Sequence, residues 1–87
     1  MQGSCLCGAV GYEVAEFSGP IVNCACRTCQ KAHAAAYNTS IRARREAFRW
    51  TRGEDKLGGY DSTPGKTRHF CTACGSHLMA EWHGRPE

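Results

Sequence analysis

The sequence predicts a mainly β domain that is held together by its cysteines. Short segments of alternating residues are separated by turn residues, and seven cysteines fall in three short groups. In addition, Leu, Ile, Val and Phe together number only 11 of the 87 residues. A core this small supplies little stability, and small domains usually add disulfides or a metal ion. We therefore expect residues 1–87 to form one small domain whose stability depends on the cysteines.

The individual elements follow from local patterns along the chain. Val10, Tyr12 and Val14 occupy alternate positions, which is the period of a half-buried strand. Residues 30–36 are rich in Ala and predict a helix of about two turns. A Pro-Gly pair at residues 64–65 predicts the turn of a hairpin. The remaining strands are predicted at Tyr37–Ile41, Phe48–Thr51, Leu57–Ser62, Lys66–Cys71 and His77–Trp82, with a polar end at residues 83–87.

Composition and charge exclude several classes of protein. No apolar run approaches 18 residues and the N-terminus lacks the features of a signal peptide, so we expect a cytoplasmic protein that does not enter a membrane. Thiols stay reduced in that compartment, and an odd number of cysteines does not suit a disulfide framework. Five arginines lie between residues 42 and 52 and could contact nucleic acid, but a net charge of +3 favours a solvated face instead.

The first and last cysteine groups predict one closed zinc site. In Cys5-Leu6-Cys7, an extended strand would place the two Cα atoms about 6.5–7 Å apart, whereas sulfurs around a tetrahedral zinc lie within ~4 Å of each other. This segment must therefore curl, which Gly3 and Gly8 permit. The segment Cys71-Thr72-Ala73-Cys74-Gly75 has the spacing of a zinc knuckle. Together the two pairs supply four sulfurs for a structural zinc: Cys5, Cys7, Cys71 and Cys74.

The central group predicts a second, open metal site. Cys24-Ala25-Cys26-Arg27-Thr28-Cys29 places three thiols within six residues, so one loop can wrap a single metal ion. Three protein ligands with a free fourth position are the arrangement of catalytic zinc sites. His33 lies one helical turn after Cys29 and could supply a fourth ligand, which would close the site. The alternative for all seven cysteines is that they are buried apolar thiols or disulfides.

These motifs resemble the family of glutathione-dependent formaldehyde-activating enzymes, which includes the centromere protein V-like proteins. The resemblance implies an Mss4-like fold of several small coiled antiparallel β-sheets stapled by zinc, with one short helix. It also implies two Zn²⁺ per chain, the structural one bound by Cys5, Cys7, Cys71 and Cys74 and the catalytic one by Cys24, Cys26 and Cys29. Relative to the family we expect residues 1–87 to be short at the C-terminus. The matching segments are Gly3–Val10, Cys24–Ala32, Phe48–Gly53 and Phe70–Ser76.

The activity that the resemblance implies is that of a carbon–sulfur lyase, an S-(hydroxymethyl)glutathione synthase-like enzyme. A thiol that enters the open zinc position would ionise there and could add to a small aldehyde, or the reverse step could release one. The expected partners are a small thiol such as glutathione and a small aldehyde, with a homodimer as one expected assembly. Arg27 and Lys31 could meet a substrate carboxylate, or could be solvated surface charges. The alternative function is a non-catalytic, zinc-stapled binding module.

Overall fold

Short antiparallel strands make up most of the regular structure. The computed structural model describes residues 1–84. Within this range the chain forms one helix, α1 (Arg27–His33), and two 3₁₀ turns, Arg45–Ala47 and Glu54–Lys56. The strands are β1 (Gln2–Ser4), β2 (Gly11–Val14), β3 (Val22–Cys24), β4 (Asn38–Ser40), β5 (Phe48–Arg52), β6 (Leu57–Thr63), β7 (Lys66–Cys71) and β8 (His77–Trp82).

The described strands form three small antiparallel sheets. Two of them have three strands, in the orders β1-β2-β5 and β6-β7-β8, and β3 pairs with β4 in the third. The prediction of a mainly β fold with several small sheets and one short helix is confirmed. The predicted hairpin is also confirmed, because β6 and β7 pair across the turn that contains Gly65. Of the polar end predicted at residues 83–87, residues 85–87 lie outside the described part of the chain.

The first strand has no apolar alternation, and the sequence patterns do not reveal it. β1 reads Gln-Gly-Ser and pairs with β2, with Gly3 opposite Tyr12. A Cβ atom at Gly3 would lie 2.4 Å from the Tyr12 ring, so the glycine is needed for this close approach. The expectation that Gly3 helps the chain to curl between the cysteines is therefore wrong, since Gly3 lies in an extended strand.

The helix begins earlier than the Ala-rich segment that predicted it. α1 spans Arg27–His33 rather than residues 30–36 because Cys26 is its N-cap: the Cys26 Sγ accepts a hydrogen bond from the Cys29 N–H. The helix ends where Ala34 adopts a left-handed conformation, with φ of 51°. The Gln30 carbonyl accepts the N–H groups of both Ala34 and Ala35 at this end. Among residues 1–84 no helix is long and apolar enough to cross a membrane.

The buried core is built around cysteines of the first and last groups. Val10 and Cys71 have no exposed surface, and they pack with the buried Cys5. The surrounding side chains are only partly buried: Ala9, Trp50, Leu57, Cys74 and Leu78. The small number of large apolar residues in the sequence thus gives a core in which cysteine sulfurs occupy central positions.

Glu81 connects the last strand to the segment that precedes β5. Its carboxylate accepts a hydrogen bond from His69 Nε2 at 2.9 Å and forms an ion pair with Arg45. The hydrogen bond with His69 and the charge of Arg45 lower the pKa of Glu81 despite its partial burial. The Arg45 guanidinium also donates to the Trp82 carbonyl.

Most of the clustered arginines make contacts within the chain. Arg45 pairs with Glu81, and Arg49 pairs with Glu13 across the β2–β5 ladder. Arg52 donates a hydrogen bond from Nε to the Gly8 carbonyl at 2.9 Å. These contacts engage Arg45, Arg49 and Arg52 within the chain, and the interpretation of the cluster as a solvated face stays a prediction.

Candidate metal centres

Four cysteine sulfurs from the two ends of the chain form the first centre. The Sγ atoms of Cys5, Cys7, Cys71 and Cys74 all lie within 4.8 Å of one another. The Cys5–Cys7 and Cys7–Cys71 sulfur distances are 3.6 and 3.8 Å. A tetrahedral zinc with Zn–S bonds of 2.3 Å requires sulfurs roughly 3.8 Å apart. The donor set and its spacing therefore fit a structural zinc ion.

Two tight turns bring these sulfurs together. The Gly8 N–H donates to the Cys5 carbonyl at 3.2 Å, and the Gly75 N–H donates to the Cys71 carbonyl at 2.7 Å. Both glycines have φ near +80°, a conformation that other residues adopt only with strain. The curl predicted for the Cys5–Cys7 segment is present as a turn from Cys5 to Gly8, and Gly75, directly after the knuckle, has the positive φ that its position predicts.

Ser76 joins the two turns, and the sequence patterns do not single it out. The Leu6 N–H donates to Ser76 Oγ at 3.0 Å, so the serine hydroxyl can donate its own hydrogen to Cys74 Sγ, 3.2 Å away. This hydroxyl and the Ser76 and Cys7 backbone N–H groups lower the pKa of Cys74 to about 5. The only sequence signal for Ser76 is its place directly after the knuckle glycine.

The sulfurs of this centre cannot all ionise easily without a cation. The Ala9 backbone N–H favours the Cys7 thiolate, but the neighbouring cysteines and burial outweigh it and raise the pKa of Cys7 to about 11. Closely spaced thiolates repel one another, whereas a divalent ion between them removes the repulsion. Both the charge and the spacing of the four sulfurs are therefore consistent with a bound metal ion.

The second centre consists of three sulfurs at the start of α1. Cys24 ends β3, Cys26 caps α1 and Cys29 lies in its first turn, and their Sγ atoms all lie within 4.8 Å of one another. Cys29 is buried, Cys24 is half-buried and Cys26 is exposed, so one side of the group is open to solvent. Among residues 1–84, no histidine or carboxylate joins these three sulfurs as a fourth possible ligand.

His33 is therefore not part of the sulfur group, and it has another partner. Its Nε2 lies 3.3 Å from Arg68 Nη1. An arginine only donates, so His33 Nε2 accepts and the imidazole is neutral with its proton on Nδ1. Burial and the positive charges of His77, Arg68 and Lys66 lower the pKa of His33, which favours this neutral form.

Arg68 is the functional candidate that the sequence analysis missed. It is buried on β7, and its Nη2 donates to the Cys29 Sγ at 3.6 Å. Burial opposes ionisation of Cys29, but hydrogen bonds from Arg68 and from the other two thiols of the group lower its pKa to about 7. Arg68 also lines a cavity of about 470 Å³ together with Lys31 and Phe70. In the sequence, Arg68 is marked only by its place two residues before Phe70 on the same face of the strand, where an apolar residue is expected.

A comparison with protein families identifies the chain. The family model described as glutathione-dependent formaldehyde-activating enzyme matches residues 1–87. The chain belongs to this family. The resemblance found in the cysteine motifs is therefore confirmed, and at the level of the family it implies an enzyme of the lyase type.

The fold is also found in a solved structure. A crystal structure of a Rhodobacter sphaeroides protein, a structural genomics target, superposes with a TM-score of 0.82 at 28% sequence identity. The alignment covers 100% of this chain and 79% of that protein. The two groups of cysteines that could bind zinc thus lie in a fold that has been observed by crystallography.

The structure brings together the cysteines that the motifs had grouped. All four terminal cysteines meet in the first centre, and the three central cysteines meet in the second. Arg27 and Lys31 are exposed on α1, and of these two Lys31 lines the cavity beside Arg68. The ligation of zinc by either group, and the catalytic role of the second, stay predictions.

Proposed function

We propose that this protein is a zinc-dependent carbon–sulfur lyase of the glutathione-dependent formaldehyde-activating type. The observation that carries the proposal is the second centre, where three cysteine sulfurs converge without a fourth donor from the described residues. Zinc in proteins takes four ligands, so such a site retains one position for a substrate or water. Family membership supports the reaction type, with glutathione and formaldehyde as the substrates that the family name states.

The two centres have different roles in this proposal. Cys5, Cys7, Cys71 and Cys74 hold a structural zinc that joins the ends of one zinc-binding domain, residues 1–87. Cys24, Cys26 and Cys29 hold the catalytic zinc. When bound there, zinc favours the ionised form of a thiol that becomes its ligand. The exposed Cys26 side of the centre is where a substrate thiol arrives, since Cys29 is buried.

The reaction joins a thiol to an aldehyde without a change of oxidation state overall. The substrate sulfur forms a bond to the aldehyde carbon, the carbon–oxygen π bond breaks, and the thiol proton ends on the resulting hydroxyl oxygen. In the reverse direction the carbon–sulfur bond breaks and the aldehyde leaves.

The cavity beside α1 favours an acidic thiol. Lys31 places a positive charge on its wall, and Tyr60 and Phe70 supply aromatic surface. Glutathione carries two carboxylates and extends well beyond its sulfur, so in this proposal its carboxylates contact Lys31, on the helix that Cys26 caps. A neutral thiol of similar size would lack the charge attraction.

The test is a thiol-and-aldehyde assay on protein of known zinc content. We expect two zinc ions per chain and product formation from glutathione and formaldehyde. Cys26→Ser should lose one zinc and all activity but remain folded, whereas Ala25→Ser, an exposed change within the same motif, should keep both.

The binding-module alternative predicts a different set of results. In a cobalt-substituted sample its second centre would be fully coordinated, and its spectrum would not respond to added glutathione. Cys26→Ser would then destabilise the fold as much as Cys71→Ser does. Those results, with no product in the assay, would overturn the enzymatic proposal.

A further inference from the structure

Arg68 is a buried charge without an acidic side chain to balance it. Its exposed fraction is 5%, and no carboxylate within residues 1–84 forms an ion pair with its guanidinium. A buried charge that is not balanced destabilises a fold, so arginines in such positions have a counter-charge. Within the described residues, the counter-charge of Arg68 must therefore come from a group other than a carboxylate.

The contacts of the guanidinium show which group this is. Its Nε donates to Ser62 Oγ at 2.8 Å, and its Nη1 donates to the neutral His33. Neither of these partners carries a negative charge. The third partner is the Cys29 sulfur, 3.6 Å from Nη2, and Cys29 is one of three converging cysteines. Among the described residues that contact Arg68, the group that can become negative is therefore the Cys29 sulfur of the second metal centre.

The same contacts fix the helix against the strands. Ser62 lies on β6 and Arg68 on β7, whereas His33 and Cys29 lie on α1. The guanidinium therefore holds Cys29 in place from two sides: through its own hydrogen bond to the sulfur and through His33 one turn further along the helix. Ser62 in turn fixes the orientation of the guanidinium.

We propose that Arg68 is the counter-ion and the positioning residue of the Cys24–Cys26–Cys29 metal centre. Three thiolates and a divalent ion leave one net negative charge, and the single positive charge of Arg68 makes the assembly neutral. The inference rests on the proposed function, because it concerns the second zinc. In this proposal Arg68 helps to retain that zinc and positions one of its ligands, Cys29, although Arg68 lies on β7, far from the cysteine motif in sequence.

The experiment measures zinc affinity at each centre separately, by competition with a chelator, in the full chain. Partners that orient metal ligands typically contribute about 10–100-fold in affinity. We expect Arg68→Gln to weaken the second centre by about that factor and to leave the first unchanged. Arg44→Gln removes the same charge from an exposed residue and should change neither centre.

Two further variants separate charge from placement. Arg68→Lys keeps the charge but cannot reach all three partners, so its loss of affinity should be smaller than that of Arg68→Gln. Ser62→Ala keeps the charge and releases the guanidinium, and should weaken the second centre in the same direction. In cobalt-substituted protein, Arg68→Gln should also shift the sulfur-to-cobalt charge-transfer bands of the second centre, because the sulfur loses a hydrogen-bond donor.

The outcomes distinguish this inference from the proposed function. A wild-type protein that binds only one zinc overturns both. A wild-type protein with two zinc ions whose Arg68→Gln variant keeps the same affinities and cobalt spectrum overturns the role of Arg68 alone. If Arg68→Gln does not fold, Arg68→Lys and Ser62→Ala decide: unchanged affinity and spectrum at the second centre in both would refute the role.

Discussion

Replacing Cys71 with Ser should strongly destabilise the fold. Cys71 has no exposed surface, packs against Cys5 and Val10 in the core, and contributes one of the four sulfurs of the first centre. Serine has almost the same shape but binds zinc poorly, and its hydroxyl would be buried next to apolar groups. The change therefore removes a metal ligand without creating a large cavity.

The size of the effect follows from the role of the metal. Structural zinc contributes about 10–16 kcal/mol in small zinc domains, so one of four sulfurs accounts for roughly 2.5–4 kcal/mol. A chain of this length is stable by about 4–13 kcal/mol in total, from about 0.05–0.15 kcal/mol per residue. At about 4–8 °C per kcal/mol, the melting temperature should fall by roughly 10–30 °C.

The measurement is thermal unfolding followed by circular dichroism, with zinc content determined on the same samples. Ala73→Ser is the matched control, because it places the same hydroxyl at an exposed position of the same turn. Wild-type protein treated with a strong chelator should melt at least as early as Cys71→Ser. If the metal-free wild type, or Cys71→Ser, melted at the temperature of the control, the first centre would not support the fold.

Three further results are expected. Ser76→Ala should weaken zinc binding at the first centre by about 10-fold, because the Cys74 thiolate loses the hydroxyl that donates to it, and an unchanged affinity in chelator competition would contradict this role of Ser76. NMR titration of His33 should give a pKa below 6.5 and an Nδ1–H tautomer, and an Nε2–H tautomer would contradict its contact with Arg68. Glu81→Gln should reduce the free energy of unfolding by about 1 kcal/mol at neutral pH. The folded pKa of Glu81 lies below the unfolded value near 4.5, so this difference should be full above pH 4.5 and disappear as the pH falls through the folded pKa; a difference that stays constant would refute the ion pair.

Local patterns predicted the hairpin and most strands because their signals are short-range. The alternation in Val10, Tyr12 and Val14 and the Pro-Gly turn depend only on neighbouring residues. β1 was missed because Gln-Gly-Ser carries no apolar period and becomes a strand only by pairing with β2. The start of α1 was missed for a related reason: the cap is a cysteine, which helix propensities do not mark as a helix start.

The grouping of the cysteines could also be predicted without the fold. Thiols two or three residues apart can share a metal whatever the rest of the chain does, so the spacing alone assigns Cys24, Cys26 and Cys29 to one group. The meeting of Cys5 and Cys7 with Cys71 and Cys74 was predicted from the need for four ligands. In the structure the two pairs meet where the Ser76 hydroxyl contacts both turns, through the Leu6 N–H and the Cys74 sulfur.

The sequence by itself determined the chemistry of the two centres, because the identity and spacing of sulfur donors are local properties of the chain. Only the tertiary structure decided what surrounds them. Arg68 reaches Cys29 across 39 positions of sequence, and no pattern within β7 records which strand will pack against α1. The partner of His33 is likewise decided by the tertiary structure. Its helical position predicted a possible metal ligand, whereas the fold places the Arg68 guanidinium beside its imidazole. Contacts between distant segments depend on how the sheets pack, which is a property of the whole molecule.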